Sequence, residues 1–251
     1  MSSELGRDAP DHVAVSVVLP IYNERENLGT LVDEILVAFQ GRAYEIVAVD
    51  DRSTDGSHGE LERLARGRAG VRILRLRRHA GQSAALVAGW DSARGEIVVT
   101  LDADGQNDPA DAPGLVDALV RDATLAAVAG VRVRRRDAAW KRMQSRIANA
   151  VRNGITGDRI RDTGCGLKVF RRAALVDLPR FDGMHRFLPT LIRLRGGRVA
   201  EVPVNHRARR FGRSHYGMWN RTFRGLCDAM AVRWMAHRTL RYEVETDPDD
   251  A

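Results

Sequence analysis

The 251-residue chain has only two cysteines and two lysines. Cys165 and Cys227 form no CxxC pair and are too few for a disulfide framework. Both are expected as small, reduced, buried side chains rather than nucleophiles, which suits a cytosolic setting. Long apolar runs are also missing. ALVAGW (85–90) and TLAAVAGV (124–131) fall far below the roughly 18 residues that span a bilayer, so no membrane-spanning helix is expected. Residues 1–12 contain no apolar segment, and no secretion signal is expected there. No GxGxxG follows the first β-rich run, which disfavours a Rossmann dehydrogenase. Internal repeats and low-complexity stretches are absent. With 44% hydrophobic and 29% charged residues, a collagen-like, coiled-coil or wholly disordered chain is excluded.

What the chain does have is arginine, in 38 of its 40 basic positions. Arginine clamps phosphate and carboxylate through a planar fork that never loses its charge, although a codon bias would also enrich it. The net charge of +7 hides an uneven distribution. Residues 1–131 carry 13 basic and 21 acidic side chains, net −8; residues 132–238 carry 26 and 7, net +19; residues 239–251 are net −4. A basic second half points to nucleic acid, anionic lipid or phosphate groups, or to a solvated basic face.

Periodicity gives the architecture. Val13–Leu19, Glu45–Val49, Val71–Leu76, Glu96–Leu101 and Leu125–Val131 read as buried strands, the first ended by Pro20. Between them, residues 27–39, 59–66, 81–93 and 113–121 read as helices. This alternation predicts an α/β fold, an open and mostly parallel sheet with helices on both faces, whose ligands bind beyond the carboxyl ends of the strands. Further on, Trp140–Ile155 reads as an arginine-rich helix, and Thr163–Phe170 and Arg198–Val204 as short strands. Met218–His237 interleaves Met218, Trp219, Phe223, Leu226, Met230, Val232, Trp234 and Met235 with arginines. Such a helix suits a membrane interface, and a core-packing helix with a solvated arginine edge would read nearly the same. The interfacial reading is taken. The expected layout is a disordered start (1–12), one catalytic domain (13–217, divided at 131), an interfacial helix (218–238) and an acidic tail (239–251).

Polar clusters stand at three strand ends. Asp102-Ala103-Asp104, with Gln106, follows the fourth strand, where two carboxylates one residue apart can share a hard divalent cation such as Mg²⁺ or Mn²⁺ with substrate phosphates. An Asx-rich turn would look the same. Pro20-Ile21-Tyr22-Asn23-Glu24 follows the first strand and Asp50-Asp51-Arg52-Ser53-Thr54-Asp55-Gly56 the second. There, carboxylates can accept from a nucleobase imide or ribose hydroxyls, and a tyrosine ring can stack on a base.

PxYNE, VDDxSxDG and DADxQ, in this order and spacing, resemble family 2 glycosyltransferases of the GT-A fold, most strongly the polyprenyl-phosphate glycosyltransferases typified by dolichol-phosphate mannose synthase. The second half adds to the resemblance. RDTGCGLKVFRR (161–172) is similar to a D-x-S-G-F-R-x-F-x-R segment, departing at Thr163, Cys165 and Leu167, with Lys168 one place beyond the arginine. His185-Arg186-Phe187 resembles HRF. His206–Arg209 with Gly212–Gly217 resembles HRPRxxGxSKYG, with Ala208 for proline and His215 for lysine.

The resemblance implies roles. Pro20, Tyr22 and Glu24 would line the nucleotide pocket; Asp50 and Asp51 would contact base or ribose. Asp102 and Ala103 would face the nucleotide sugar, and Asp102, Asp104 and Gln106 would organise Mg²⁺ or Mn²⁺ on its diphosphate. The acceptor, a lipid monophosphate, is already nucleophilic and needs a cationic cradle more than a general base. Arg132 (or Arg134), Arg142, Arg207 and Arg209 are the candidates, with Ser145 and Ser214 as hydroxyl donors. Asp104, Arg132, Arg142 and Arg209 would carry catalysis, and one direct displacement would invert the anomeric centre. The implied enzyme transfers a hexosyl group from a UDP- or GDP-sugar to an undecaprenyl- or dolichyl-type phosphate. It would be peripheral, on the cytoplasmic face of a bacterial membrane, with an anionic lipid surface and a separate membrane protein as further partners. No nucleic acid partner is expected, because three acidic clusters at the mouth of the sheet would repel its phosphates. A nucleotidyltransferase shares the sheet and the metal logic but releases diphosphate. Within the family, transfer to a polysaccharide or protein acceptor is the alternative.

Overall fold

The computed structural model describes residues 13–133, 150–209 and 218–238. They build one seven-stranded sheet, in the order β3-β2-β1-β4-β6-β5-β7. The strands are β1 (Val15–Ile21), β2 (Tyr44–Asp50), β3 (Val71–Arg75), β4 (Ile97–Thr100), β5 (Leu125–Arg132), β6 (Lys168–Arg171) and β7 (Arg198–Val204). All neighbours are parallel except around β6, which runs antiparallel to both β4 and β5. The chain leaves β1 toward β2 and β3, then returns to the other side of β1 with β4. That reversal opens a crevice at the carboxyl ends of β1 and β4, the place where open sheets bind ligands.

Two apolar layers sandwich the sheet. On one face α1 (Arg25–Ala38), α2 (Ser57–Gly67) and α4 (Ala112–Arg121) bury Leu28, Leu31, Ile35, Leu61, Leu64, Leu115 and Leu119 against Val17, Leu19 and Val99. On the other, α3 (Gln82–Ser92), a helix at 150–156 (α5), α6 (Ala173–Val176), α7 (Leu188–Leu194) and α8 (Met218–Arg238) meet Val18, Val47, Val98 and Phe170. Trp90 packs there beside Leu86. Alternation of side chains along each strand sends successive residues to opposite layers.

Four details depart from the sequence reading. First, β1 does not end before Pro20. Val18 O accepts from Leu101 N on the β4 side and Ile21 O from Asp51 N on the β2 side. Alternate residues therefore address alternate neighbours, and the Pro20 nitrogen faces the side where β4 has ended at Thr100, so no ladder bond is lost. Second, the strand expected at 163–170 is shorter. Gly164 and Gly166 lie outside β6, which starts at Lys168, because this stretch turns past the end of β4, where Thr100 Oγ1 donates to Gly166 O at 2.9 Å. Third, Cys227 is exposed, on the outer face of α8, while Cys165 is buried. Fourth, α8 packs on the core with one face, as the alternative reading of this helix had it. Ala229 and Val232 are buried in the core, whereas Leu226, Met230 and Trp234 stand 41%, 55% and 63% exposed at i, i+4 and i+8. The arginine-rich helix expected at 140–155 is described only from residue 150.

The base of the sheet is tied by Glu45, which is 2% exposed. Its carboxylate accepts from Ser16 Oγ (2.7 Å), Arg94 N (2.8 Å) and Arg72 Nη1 (2.7 Å), joining β1, β2, β3 and the turn before β4. Burial pushes its pKa up, but these donors, led by Arg72, outweigh it and hold the group below the ordinary glutamate value. Stability from the charged form is then complete above the ordinary range and lost as pH falls through the lower folded value. Glu45→Gln is expected to cost about 1–3 kcal/mol at neutral pH. In urea unfolding, the gap between wild type and variant should shrink below about pH 4. A constant gap from neutral pH to about pH 3 would show that the carboxylate is not its source.

Candidate active site

The loops at the carboxyl ends of β1, β2, β3 and β4 converge and are sewn together by side chains. After β1, Asn23 takes the left-handed conformation, with φ of 56°. Its nitrogen donates to Ser53 Oγ (3.0 Å) and its Oδ1 accepts from Thr54 N (2.8 Å), while Glu24 N donates to Ser57 Oγ (3.0 Å). These bonds explain why the first motif carries an asparagine and the second a serine and a threonine: short polar side chains satisfy a backbone that has left its strand.

Asp50 is fully buried at the end of β2. It accepts from Ser53 N (2.8 Å), with Arg75 Nε at 3.2 Å and His58 Nδ1 at 3.3 Å. Asp51 holds the loop after β3, accepting from Ala80 N (2.7 Å) and Gly81 N (2.8 Å), with His79 Nδ1 at 2.9 Å. That grip brings the His79 ring to 4.1 Å from the Tyr22 ring, a tilted aromatic pair at the mouth of the crevice. Tyr22, Asp50 and Asp51 thus share one corner. Pro20 sits just inside β1, and Glu24 opens the loop to α1.

The carboxylates after β4 lie at the centre. Ala103 turns its methyl into the core, 3% exposed, so only its main chain can face a ligand. Its neighbours Asp102 and Asp104 are half-buried. Asp102 Oδ1 accepts from Gln82 Nε2 at 2.8 Å. Burial first, and the charge of Asp104 second, push the Asp102 carboxyl up to about 6, against the pull of Lys168, Arg132 and Arg209. Asp104 Oδ1 accepts from Gln106 N at 3.1 Å, and its Oδ2 lies 3.5 Å from Arg209 Nη2. Two mutually repelling carboxylates amid cationic side chains form a hard oxygen pair that fits a divalent ion whose other ligands come from a diphosphate. Among the described residues no group of three or more His, Cys, Asp or Glu could hold a metal, so the substrate would have to complete the shell.

The predicted cradle is only partly brought together. Arg209 reaches the centre, its Nη2 bonded to Glu24 Oε1 (2.8 Å) and close to Asp104. Arg207 instead joins Glu34 and Asp108, at 2.7 and 2.8 Å, and its nitrogen donates to Gln106 O (2.7 Å), docking the 206–209 segment on the Asp102–Gln106 loop. Arg132, at the end of β5, makes a two-bond pair with Asp162, both at 2.7 Å. Arg134, Arg142, Ser145, Ser214 and His215 lie outside the described residues.

Residues that the motifs did not single out also reach this centre. Gln82 fixes Asp102, and Ser83 Oγ lies 2.8 Å from His185 Nδ1, tying α3 to the turn before α7. Both belong to Arg77–Ser83, the polar run after β3. That run obeys the same strand-end rule as the three clusters read from sequence, and the rule would have found it. A recess of about 70 Å³ lies between Gln82, Asp102, Lys168 and Arg186. A larger hollow, about 540 Å³, lies over the start of α1, where Glu24, Glu26, Asp55 and Glu60 outnumber the single cation Arg25, a balance that disfavours a diphosphate.

Comparison with known proteins agrees with this geometry. The profile of glycosyl transferase family 2 matches residues 16–178. The chain is 37% identical over 243 residues to a dodecaprenyl-phosphate galacturonate synthase of Rhizobium johnstonii, covering 94% of this chain and 70% of that protein. It is 38% identical over 208 residues to an undecaprenyl-phosphate 4-deoxy-4-formamido-L-arabinose transferase of Edwardsiella ictaluri, covering 81% of this chain and 63% of that one. In fold it is similar to glucosyl-3-phosphoglycerate synthase of Mycobacterium tuberculosis, solved with Mn²⁺, UDP-glucose and glycerol 3-phosphate, with a TM-score of 0.67 at 23% identity over 88% of this chain and 80% of that one. A mannosyltransferase of Pyrobaculum calidifontis, solved with GDP-mannose and Mn²⁺, gives 0.62 at 22% identity over 92% and 72%. A match across 163 consecutive positions, and a relative above one-third identity across nearly the whole chain, settle the family. The chain is a glycosyltransferase and belongs to glycosyl transferase family 2.

Proposed function

We propose that this enzyme transfers a hexosyl group from a UDP- or GDP-sugar to a polyprenyl phosphate at a membrane surface, with inversion and with a divalent cation. The observation that carries this reading is the likeness to the galacturonate synthase, which at 94% of this chain takes in most of the basic second half as well as the nucleotide-binding half.

The chain's own residues divide the work. Tyr22 and His79 offer ring faces to the base, and Asp50 sits behind them for its polar edge or the ribose. Asp102, Asp104 and the main chain of Ala103 face the diphosphate, with Gln106 shaping the loop. Asp102 and Asp104 would hold Mg²⁺ or Mn²⁺, which when bound neutralises charge on the departing nucleoside diphosphate. Arg209 lies beside Asp104, placed to meet phosphate oxygens, and turning from Glu24 to a phosphate would exchange one charge-assisted bond for another. Arg132, with Arg134, Arg142, Ser145, Arg207 and Ser214, is proposed to surround the acceptor phosphate. Arg132 and Arg207 would do so as positioning groups, because their ion pairs with Asp162 and with Glu34 and Asp108 hold neighbouring backbone in place. Binding both substrates would bring the acceptor oxygen to the anomeric carbon without a general base.

Membrane contact is proposed for α8. Leu226, Met230 and Trp234 form an outward apolar stripe, with Arg224, Arg233 and Arg238 exposed on the same helix. Among the described residues no helix is long and apolar enough to cross a membrane. The helix is fixed to the body by Arg186–Asp228 (2.7 Å) and by Arg233 Nη1 to Ile155 O (2.8 Å), so the stripe sits on a rigid support. A cytoplasmic-face location and a separate membrane protein that moves the product follow from the same reading.

Vesicles of anionic phospholipid carrying polyprenyl phosphate test it. The full chain should sediment with them at low salt and release nucleoside diphosphate only when the lipid phosphate is present. Replacing Leu226, Met230 and Trp234 together by serine should weaken sedimentation about tenfold or more. Protein that stays in the supernatant, or release that ignores the lipid phosphate, would contradict the reading.

A further inference from the structure

Lys168 is one of two lysines in the chain, and it is 4% exposed. It opens β6, opposite Thr100 of β4 and Ala129 of β5, in the middle of the sheet. An ammonium has three donors. One goes to the carbonyl of Cys165. Among the described residues no carboxylate lies within ion-pair distance of the Lys168 Nζ. A buried charge without an ion-pair partner is costly. Asp102 shares the neighbourhood, but Gln82 holds it, and with Asp104 it belongs to the cation pair.

The same recess has a second under-used cation. Arg186 spends its Nη2 on Asp228, while its Nε is buried with no hydrogen-bond partner. Lys168 and Arg186 both line the 70 Å³ recess, next to Gln82, Thr100 and Asp102. A single water needs about 10–15 Å³ of such space, so the recess has room for a group the size of a carboxylate or phosphate.

We infer that the recess between Lys168 and Arg186 is an oxyanion site that receives a substrate's anionic group, either a carboxylate on the transferred sugar or the phosphate of the acceptor. The substrates rest on the glycosyl-transfer reading above; the existence of the site does not.

Lys168→Met in the full chain removes the charge and keeps the length. Inorganic phosphate should raise the melting temperature of wild type and not that of the variant. KM for one substrate should rise about tenfold or more, and KM for the other stay within about twofold. If the anion is on the sugar, KM rises for UDP-galacturonate and not for UDP-glucose. If it is the acceptor phosphate, KM for polyprenyl phosphate rises with either donor. Lys168→Arg should recover much of the loss, and Lys168→Gln serves as the neutral variant if methionine is not tolerated. Unchanged phosphate stabilisation with both KM values within about twofold would overturn the inference. A wild type that transfers no sugar, but whose phosphate stabilisation vanishes in the variant, would uphold the anion site and remove the transfer reading instead.

Discussion

Asp104→Ala is expected to reduce turnover by at least about 10³-fold while leaving the fold intact. The two halves of this expectation have separate causes. Structurally, the Asp104 carboxylate accepts one backbone bond from Gln106 and lies 3.5 Å from Arg209, which keeps its shorter bond to Glu24 when Asp104 is gone. The melting temperature should therefore move by only a few degrees. Chemically, removal leaves Asp102 as a lone carboxylate, and a hard divalent cation loses half of its protein ligands. It also removes the charge that helps hold the Asp102 carboxyl near 6, so that this group should ionise more readily in the variant. Titration of Mn²⁺ into wild type and variant, followed by calorimetry with the donor present, reads the first effect. Near-normal turnover, or undiminished Mn²⁺ binding, would remove Asp104 from the cation site.

Gly166→Ala is the second large effect, and it comes from packing alone. A Cβ at this position would stand 2.2 Å from Asp102 Oδ2, 2.3 Å from its Cγ and 2.8 Å from Oδ1. A Cβ does not tolerate such contact, and Gly166 cannot retreat easily, because Thr100 Oγ1 grips its carbonyl. The Asp102 carboxylate must move instead, into the recess beside it, breaking its bond to Gln82. A displacement of about 1 Å at a reacting centre costs on the order of 10²-fold in rate, so turnover should fall by that order with cooperative unfolding retained. Gly154→Ala supplies the contrast. This glycine lies in α5 with nothing within 4 Å of its added Cβ, and the substitution should be neutral or slightly stabilising. Equal activity in the two variants would mean that Asp102 is not held where the structure places it.

The fold was legible because its signals are local. Each of the first five strands is a short apolar run, and the helices between them read over 8 to 13 residues. The motifs were legible for a related reason: a strand end must hand its backbone to polar side chains, and those clusters stand next to the apolar runs in the sequence. What sequence could not supply was pairing at a distance. Asp162 is 30 residues from Arg132, Glu24 is 185 from Arg209, and Glu34 is 173 from Arg207. These partners decide which arginines reach the centre and which brace the backbone, and a list of 38 arginines contains no trace of that choice. The antiparallel β6 was hidden for the same reason, since its insertion between β4 and β5 is a property of the sheet. Lys168 shows the other limit. Its burial depends on β4 and β5 flanking it, and next to Leu167 and Val169 the sequence shows only a charge on a short strand, one place beyond the arginine of the segment it resembles.

Sugar transfer to a lipid phosphate gives a product that partitions into organic solvent. A panel of radiolabelled UDP- and GDP-sugars, each with Mg²⁺ or Mn²⁺ and polyprenyl phosphate, followed by organic extraction, tests it most directly. At least one donor should place its label in the organic phase, dependent on both the cation and the lipid phosphate, with inverted anomeric configuration and loss of the signal in Asp104→Ala. Label that never enters the lipid phase with any donor, but passes to a water-soluble acceptor, would contradict it.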